Sequence, residues 1–281
     1  MDGARQALRV ATHLAPDVEP LYRFLAEAFA TALGRRAEFV VADGYERCAQ
    51  DVDDVCFVCS IPYLLLADAG SIEMEAIAAP VLAGHRFGGR AVYFSDVIVA
   101  ADSPCESFAD LRGARWAYNE PYSHSGYVTV LHHLATLGED RSFFGGMVEA
   151  GFHQEALRMV ADGRVDGAAI DCQVLDIELR DRPELERAIR RIGTIGPSTI
   201  QPVVASRSRL DRAERATITG ILMRVHQDPD ARRLLDRALV GRFVPVDTHS
   251  YDDIRHMLAT VRAAGLLPDW WDERWQRTQD A

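Results

Sequence analysis

The polar segment NEPYSHSGY follows a strand-like run and precedes a helical run that is predicted to begin near Gly126. Ser123, His124 and Ser125 therefore lie at or just before a helix N-terminus. The first amides of a helix have no partner within it, and the helix dipole places partial positive charge there. With serine hydroxyls as further donors, this junction predicts a site for a small anion. The alternative is a plain helix cap, because serine and glycine are common at such positions in either case.

Further histidines and cysteines follow predicted strands. His13 comes after the first strand, and Cys59 and Cys172 lie at the ends of two others. Together with His124 and His153 they would supply the ligands of a site for a soft metal or for arsenic. The simpler interpretation, which we favour, is that the cysteines are small buried apolar residues and the histidines donate to an anion.

The cysteine count favours reduced thiols. An odd number of cysteines suits free thiols better than a disulfide framework, and the chain has five: Cys48, Cys56, Cys59, Cys105 and Cys172. Cys56 and Cys59 have the spacing of a zinc knuckle, but no second pair accompanies them. Cys48 and Cys105 have no evident role. The chain also contains no lysine, which excludes Schiff-base chemistry and a lysine-bound pyridoxal phosphate. We expect no disulfide, no metal and no cofactor.

Two kinds of segment alternate along the chain. Apolar, β-branched runs predict buried strands at Leu8–Thr12, Ala37–Val41, Val55–Cys59, Ala91–Ala100, Ala114–Tyr118, Gly146–Ala150, Gly167–Ile170 and Val203–Ser206. Amphipathic stretches predict helices at Pro20–Leu33, Ile61–Ala69, Gly126–Leu137, Gln154–Asp162, Arg212–Gln227 and Tyr251–Ala264. This alternation predicts an α/β architecture with largely parallel sheets.

Composition excludes several classes of partner. The formal net charge of −11 argues against nucleic acid and anionic membranes, both of which demand a basic face. No stretch is long and apolar enough to predict a membrane span. Charged residues near the N-terminus, among them Arg5 and Arg9, interrupt any apolar run of a signal peptide. As printed, the chain is expected to be cytoplasmic, and a start further upstream would make it periplasmic or cell-surface.

Two turn-rich segments predict a division into lobes. They lie around Ala91–Ala100 and around Pro197–Ser206. We expect residues 99–202 to form a second lobe, inserted into a first lobe made of residues 1–98 and 203–281. Two such connections would act as a hinge over a cleft that closes on a ligand.

An ordered set of motifs resembles the phosphonate-binding family of ABC-transporter solute receptors. The set comprises SHSGY, preceded by ADLRGARWAY and followed by FFGGMVEAGFHQEALRMVADGRVDGAAID, and FVPVDTHSYDDIRHM near the C-terminus. The resemblance covers about residues 8–262. It implies a two-lobed periplasmic-binding-protein-like fold of type 2, with two mixed sheets flanked by helices. It leaves open which oxyanion or small organic solute is bound.

The resemblance also implies which residues bind the ligand. The anion turn is matched by Ser123, His124, Ser125 and Gly126, with the amides of Ser125 and Gly126 donating. The other positions that match are Ser60, Tyr63, Tyr93, His153 and Asp171, and His13 is added because it stands where the cleft should begin. Asp171 would accept a proton from the ligand or pair with a ligand ammonium, or it would simply cap the helix that follows.

Three functions are compatible with these residues. The first is a solute-binding protein for a phosphonate- or phosphate-like anion, working with an ABC-transporter permease. The second is a cytosolic enzyme on the same fold, with His153 or Asp171 as the general base, and the third is a ligand sensor. The fold alone does not choose among them, but the absence of a tightly spaced catalytic motif favours the binding protein.

Overall fold

The computed structural model describes residues 6–14 and 16–280. Residues 1–5, which carry part of the signal-peptide argument, lie outside this range. The contacts within the chain divide it into two compact units, one of residues 1–91, 200–252 and 272–281 and the other of residues 92–199 and 253–271. No helix in the described part of the chain is long and apolar enough to cross a membrane.

The structure contains strands and helices in alternation. The strands are β1 (Leu8–Thr12), β2 (Ala37–Val41), β3 (Val55–Phe57), β4 (Met74–Leu82), β5 (Val92–Ala100), β6 (Arg115–Tyr118), β7 (Gly146–Glu149), β8 (Gly167–Asp171), β9 (Ile189–Thr199), β10 (Val203–Ser206) and β11 (Val240–Val244). The helices are α1 (Glu19–Ala32), α2 (Glu46–Ala49), α3 (Ser60–Asp68), α4 (Thr129–Thr136), α5 (His153–Ala161), α6 (Cys172–Asp181), α7 (Pro183–Ala188), α8 (Arg212–Arg224), α9 (Pro229–Arg237), α10 (Asp252–Ala263) and α11 (Trp270–Asp280).

The first unit is built on a six-stranded sheet with the order β11-β4-β10-β3-β1-β2. Strand β1 pairs in parallel with β2 and β3, whereas β10 runs antiparallel to both of its neighbours. Helix α1 shows how the sequence builds the core, because its apolar residues recur on one face. Leu25 and Phe29 are fully buried, and the Tyr22 ring stacks on Phe57 of β3 at 4.0 Å. Each such buried side chain stabilises the fold by about 1.5–3 kcal/mol.

The second unit contains a five-stranded sheet with the order β7-β6-β8-β5-β9. Strands β7, β6 and β8 are parallel, and β5 runs antiparallel to β8 and β9. Within strand β6, Trp116 is fully buried and stacks on Phe144 with ring centroids 4.7 Å apart. Both sheets are therefore mixed, which corrects the expectation of largely parallel sheets.

The expected lobe boundaries differ from the observed division. Residues 92–98 were expected in the first lobe, but they belong to β5, which pairs along its length with β9 of the second unit. Residues 253–271 also group with the second unit. There the Asp253 carboxylate accepts a 2.8 Å hydrogen bond from the Thr199 amide, which ties the start of α10 to β9. Residues 200–202 group with the first unit, where the Ile200 amide donates to Ala91.

Candidate functional site

Polar residues gather at one edge of the sheet in the second unit. Because β6, β7 and β8 are parallel, their carboxyl ends meet at the same edge. Strand β6 leads into Asn119 and the turn that ends at Ser123, and β7 is followed by His153. Strand β8 ends at Asp171, which lies opposite Ser95 of β5. In open α/β sheets this edge is the usual place for a ligand.

The turn after β6 leads into a helix that begins with a π-helical turn, His124–Val128, and continues as α4. Ser123 is the cap of this helix, since its Oγ accepts a hydrogen bond from the Gly126 amide at 3.1 Å. The Val128 amide donates to the Ser123 carbonyl, also at 3.1 Å, which produces the π geometry. The Gly126 amide was expected to donate to an anion, but its N–H is already used in the hydrogen bond to Ser123. The Ser123 hydroxyl therefore acts as a helix cap.

Gly126 is required by the side chains around it. A Cβ atom at this position would lie 2.0 Å from Asn119 Oδ1 and 3.0 Å from His153 Cε1. Neither distance leaves room for a methyl group in a close-packed interior. The glycine therefore allows the end of β6, the start of the helix and the start of α5 to meet at one point.

Ser125 and His153 form a buried pair. Ser125 Oγ lies 3.0 Å from His153 Nε2, and only 3% and 7% of the two residues are exposed. Burial lowers the pKa of His153 to about 3, so the ring is neutral at pH 7 and carries a single N–H. When this N–H donates to Ser125 Oγ, the serine keeps its own hydroxyl proton for another acceptor.

His124 is a second buried, neutral histidine in this region. Its Nε2 lies 3.0 Å from Thr129 Oγ1, and its ring centroid is 6.1 Å from that of Tyr93. Burial, with a smaller contribution from His132, lowers the pKa of His124 to about 3. The groups around the turn are therefore neutral dipoles, which hold an anion well when they are fixed and desolvated.

Three buried polar atoms near the turn make no hydrogen bond to any residue in the described part of the chain. They are Asn119 Oδ1, His124 Nδ1 and His153 Nδ1. Most buried polar atoms in proteins have a partner, so a group of such atoms indicates capacity for a ligand.

Tyr93 and Asp171 complete this group of candidates in the second unit. Tyr93 lies in β5 and is 1% exposed. Asp171 is the cap of α6, and its Oδ1 accepts the Gln173 amide at 2.8 Å, as the cap interpretation predicts. Cys172 follows at the first position of α6, where its sulfur accepts the Phe94 amide at 3.4 Å, a structural role.

Sequence reasoning missed the residues that hold the turn in place. Trp271 Nε1 donates to the Pro121 carbonyl at 2.8 Å, and the Tyr122 hydroxyl donates to the Trp271 carbonyl at 3.1 Å. Trp271 is fully buried and its ring lies 5.1 Å from that of Tyr122. The two hydrogen bonds join residues 149 and 150 positions apart, so no local pattern could have indicated the contact.

Two further candidates lie on α3 of the first unit. Ser60 is the first residue of that helix, and its buried Oγ has no hydrogen-bond partner in the described part of the chain. Tyr63 is fully buried, and its hydroxyl lies 2.8 Å from Thr248 Oγ1 and accepts the Ala76 amide at 3.1 Å. These bonds hold the Tyr63 hydroxyl within the first unit, and the ligand contact implied by the resemblance stays a prediction.

His13, also in the first unit, follows β1. Its Nδ1 lies 2.6 Å from the Gly44 carbonyl, and its ring stacks on Tyr45 with centroids 5.6 Å apart. Burial lowers the pKa of His13. The ring is thus held by neighbours in its own unit.

The second unit presents a helix start among buried, neutral side chains at one edge of its sheet, an arrangement in which small anions commonly bind. The chain belongs to the family described as "ABC transporter, phosphonate, periplasmic substrate-binding protein", whose model matches residues 10–251. It is thus a solute-binding protein of that family, as the motifs predicted. No curated protein matches the chain.

Solved structures share the fold at low sequence identity. A binding protein component of an ABC phosphonate transporter from Pseudomonas aeruginosa has a TM-score of 0.80 at 16% identity, over 98% of this chain and 94% of the other. PhnD1 from Prochlorococcus marinus, in complex with methylphosphonate, has a TM-score of 0.78 at 14% identity, over 91% and 98%. The periplasmic aliphatic sulphonate binding protein SsuA from Escherichia coli has a TM-score of 0.61 at 16% identity, over 98% and 99%. The predicted fold class, type 2 with two mixed sheets flanked by helices, is confirmed.

Proposed function

We propose that this chain is a receptor for a phosphonate- or phosphate-like oxyanion, bound at the sheet edge of the second unit. The observation that supports this most strongly is the start of the helix at His124, where buried, neutral side chains surround the first amides. Ser125 would donate through its hydroxyl and its amide, and His153 would orient that hydroxyl.

The chemistry of the turn suits a tetrahedral oxyanion. Such an ion offers several acceptor oxygens, and the helix start offers amide and hydroxyl donors together with favourable dipole charge. The amide of Gly126 is excluded from this set because it is donated to Ser123 Oγ. We assign the remaining donors to His124 and Ser125, with a hydroxyl from Tyr93.

Asp171 is proposed to discriminate among ligands. It would accept a proton from a protonated ligand oxygen, or pair with the ammonium of an aminoalkylphosphonate.

Calorimetric titration with methylphosphonate, phosphite, phosphate and an aminoalkylphosphonate tests the proposal, with methanesulfonate as the contrasting anion. Ser125→Ala and Tyr93→Phe should each weaken the best ligand by about 10- to 150-fold, because a hydrogen bond to a charged group is worth about 1.5–3 kcal/mol. Ser142→Ala is the matched control, since Ser142 is exposed.

Two results would overturn the proposal. One is a wild-type protein that binds none of the phosphorus oxyanions. The other is that Ser125→Ala and Tyr93→Phe both bind the best ligand as tightly as the wild type. Thermal unfolding of each variant separates a loss of binding from a loss of fold.

Of the two general bases considered for the enzyme alternative, His153 and Asp171, the histidine receives no support. A general base works best when its pKa is close to the operating pH. The pKa of His153 is lowered to about 3, so it would be a weak base at neutral pH.

The family is the substrate-binding component of ABC transporters and is described as periplasmic. We infer that this chain delivers its ligand to such a permease on the outer side of the cytoplasmic membrane. Fractionation of cells that express the natural gene tests the location. Recovery of the protein only with the cytoplasm would contradict the inference and favour the sensor alternative.

A further inference from the structure

Three side chains that commonly bind metals meet in the first unit. A ring nitrogen of His13 and the sulfurs of Cys48 and Cys56 all lie within 4.8 Å of one another. His13 follows β1, Cys48 lies in α2 and Cys56 lies in β3. Within residues 6–14 and 16–280 this is the one group of three or more such donors.

Strand register explains how His13 and Cys56 come together. Strands β1 and β3 are parallel neighbours in which Ala11 faces Cys56. The His13 amide donates to the Phe57 carbonyl at 2.9 Å, which fixes the end of β1 beside β3. Cys56 and Cys48 are both fully buried.

The His13 ring has the tautomer that a metal-bound histidine commonly has. A carbonyl oxygen only accepts hydrogen bonds, so the 2.6 Å contact with Gly44 places the proton on Nδ1. Nε2 then carries the lone pair, and it is buried without a hydrogen-bond partner in the described part of the chain. Metal-binding histidines usually donate their second nitrogen to a carbonyl or carboxylate in this way. Stacking on Tyr45 further restricts the ring.

We propose that His13 Nε2, Cys48 Sγ and Cys56 Sγ form a three-ligand site for a soft metal ion, copper(I). The site would tie α2 to the ends of β1 and β3. It replaces the grouping of His13 with Cys59 and Cys172 considered from the sequence, and it revises the expectation that the chain binds no metal.

The geometry requires little movement. Donors about 2.3 Å from a three-coordinate ion lie about 4 Å apart, so the present separations need to shrink by less than about 1 Å. Binding would release the two thiol protons, because the thiolate is the metal ligand.

The number and type of ligands favour copper(I). Structural zinc is nearly always bound by four ligands. The described residues bring no fourth histidine, cysteine or carboxylate donor into this cluster. Thiolates and imidazole are ligands that copper prefers, and copper(I) is stable with three of them.

The test is a titration of the reduced full-length protein with copper(I) buffered by the chromophoric chelator bicinchoninate. We expect one copper(I) per chain. Cys48→Ser and Cys56→Ser should each lower the affinity by at least about 100-fold, because the loss of a residue that only hydrogen-bonds to a metal ligand already costs about 10- to 100-fold. Cys59→Ser is the matched control and should bind as the wild type does. X-ray absorption of the wild-type complex should show two sulfur neighbours and one nitrogen neighbour, which requires no variant to fold.

Three outcomes would overturn the proposal. The first is no copper(I) retained against the chelator. The second is equal affinity in Cys48→Ser and wild type. The third is stoichiometric binding of zinc but not of copper(I), which would mean four ligands. Titration of Cys48→Ser with methylphosphonate should give the wild-type affinity, so a failure here is distinguishable from a failure of the anion site.

Discussion

Acidification is expected to destabilise the second unit through His124 and His153. Both are nearly fully buried, and burial lowers the pKa of each from 6.5 to about 3. Between these values the unfolded chain binds protons that the folded chain does not, so stability rises with pH. The stability that the two neutral histidines contribute is fully present above about pH 6.5 and is lost as the pH falls toward 3.

The size of the effect follows from the two pKa values. For one histidine whose pKa falls from 6.5 to about 3, linkage gives a loss of about 2 kcal/mol between pH 7 and pH 5. His124 and His153 together should therefore cost about 4 kcal/mol over this interval. His132 and His133 act in the same direction, because burial lowers the pKa of each.

Scanning calorimetry at pH 7, 6 and 5 measures the change, and hydrogen exchange in α4 and α5 assigns it to the second unit. In His153→Gln, the loss of stability between pH 7 and pH 5 that His124 and His153 cause together should be reduced by about half. His249→Gln is the control, since its side chain is 88% exposed. A loss below about 1 kcal/mol between pH 7 and 5, or an unchanged slope in His153→Gln, would refute the reasoning.

Two further substitutions test packing and charge. Gly126→Ala should destabilise the protein by about 1–3 kcal/mol, because the new Cβ would lie 2.0 Å from Asn119 Oδ1. Gly146→Ala is the control and should not destabilise it, because no atom lies within 4 Å of the new Cβ. Equal melting temperatures for the two variants would contradict this reasoning. Asp54→Ala should cost about 3–5 kcal/mol in denaturant unfolding, since the buried carboxylate pairs with two arginines at 3.1 and 3.2 Å. Asp230→Ala, at an 82% exposed side chain, is its control, and a similar loss in both would contradict the role of burial.

The elements that sequence reasoning found are those whose pattern is local. The strands Leu8–Thr12, Ala37–Val41 and Val203–Ser206 occur at the predicted bounds, because short apolar, β-branched runs are distinctive. Strand β9 was missed, since it lies at a sheet edge and its residues Ile189–Thr199 include Gly193, Gly196 and Pro197. Strands β4 and β11 were missed as well. Propensity is a weak guide where position in the sheet decides whether a segment is a strand.

Within the anion turn, the helix start at Ser123 could be predicted, but the use of each donor could not. Serine at a helix N-terminus predicts a cap and an anion site equally well. Only the 3.1 Å hydrogen bond from the Gly126 amide to Ser123 Oγ shows that this amide is occupied. The resemblance named Ser125 and His153 as ligand-binding residues, but their pairing with each other was not predicted, since 28 residues separate them.

The cysteines show most clearly why the ends of predicted strands alone do not predict which residues lie together. Cys59 was grouped with His13 because both follow predicted strands, yet strand β3 ends at Phe57 and Cys59 becomes the cap of α3. Side chains alternate along a strand, so Cys56, one residue before that end, is placed on a defined face of the sheet and its partner depends on which helix covers that face. Helix α2 supplies Cys48, a residue for which the sequence offered no role. A three-residue constellation of this kind becomes visible only when register, helix placement and ring orientation are known together.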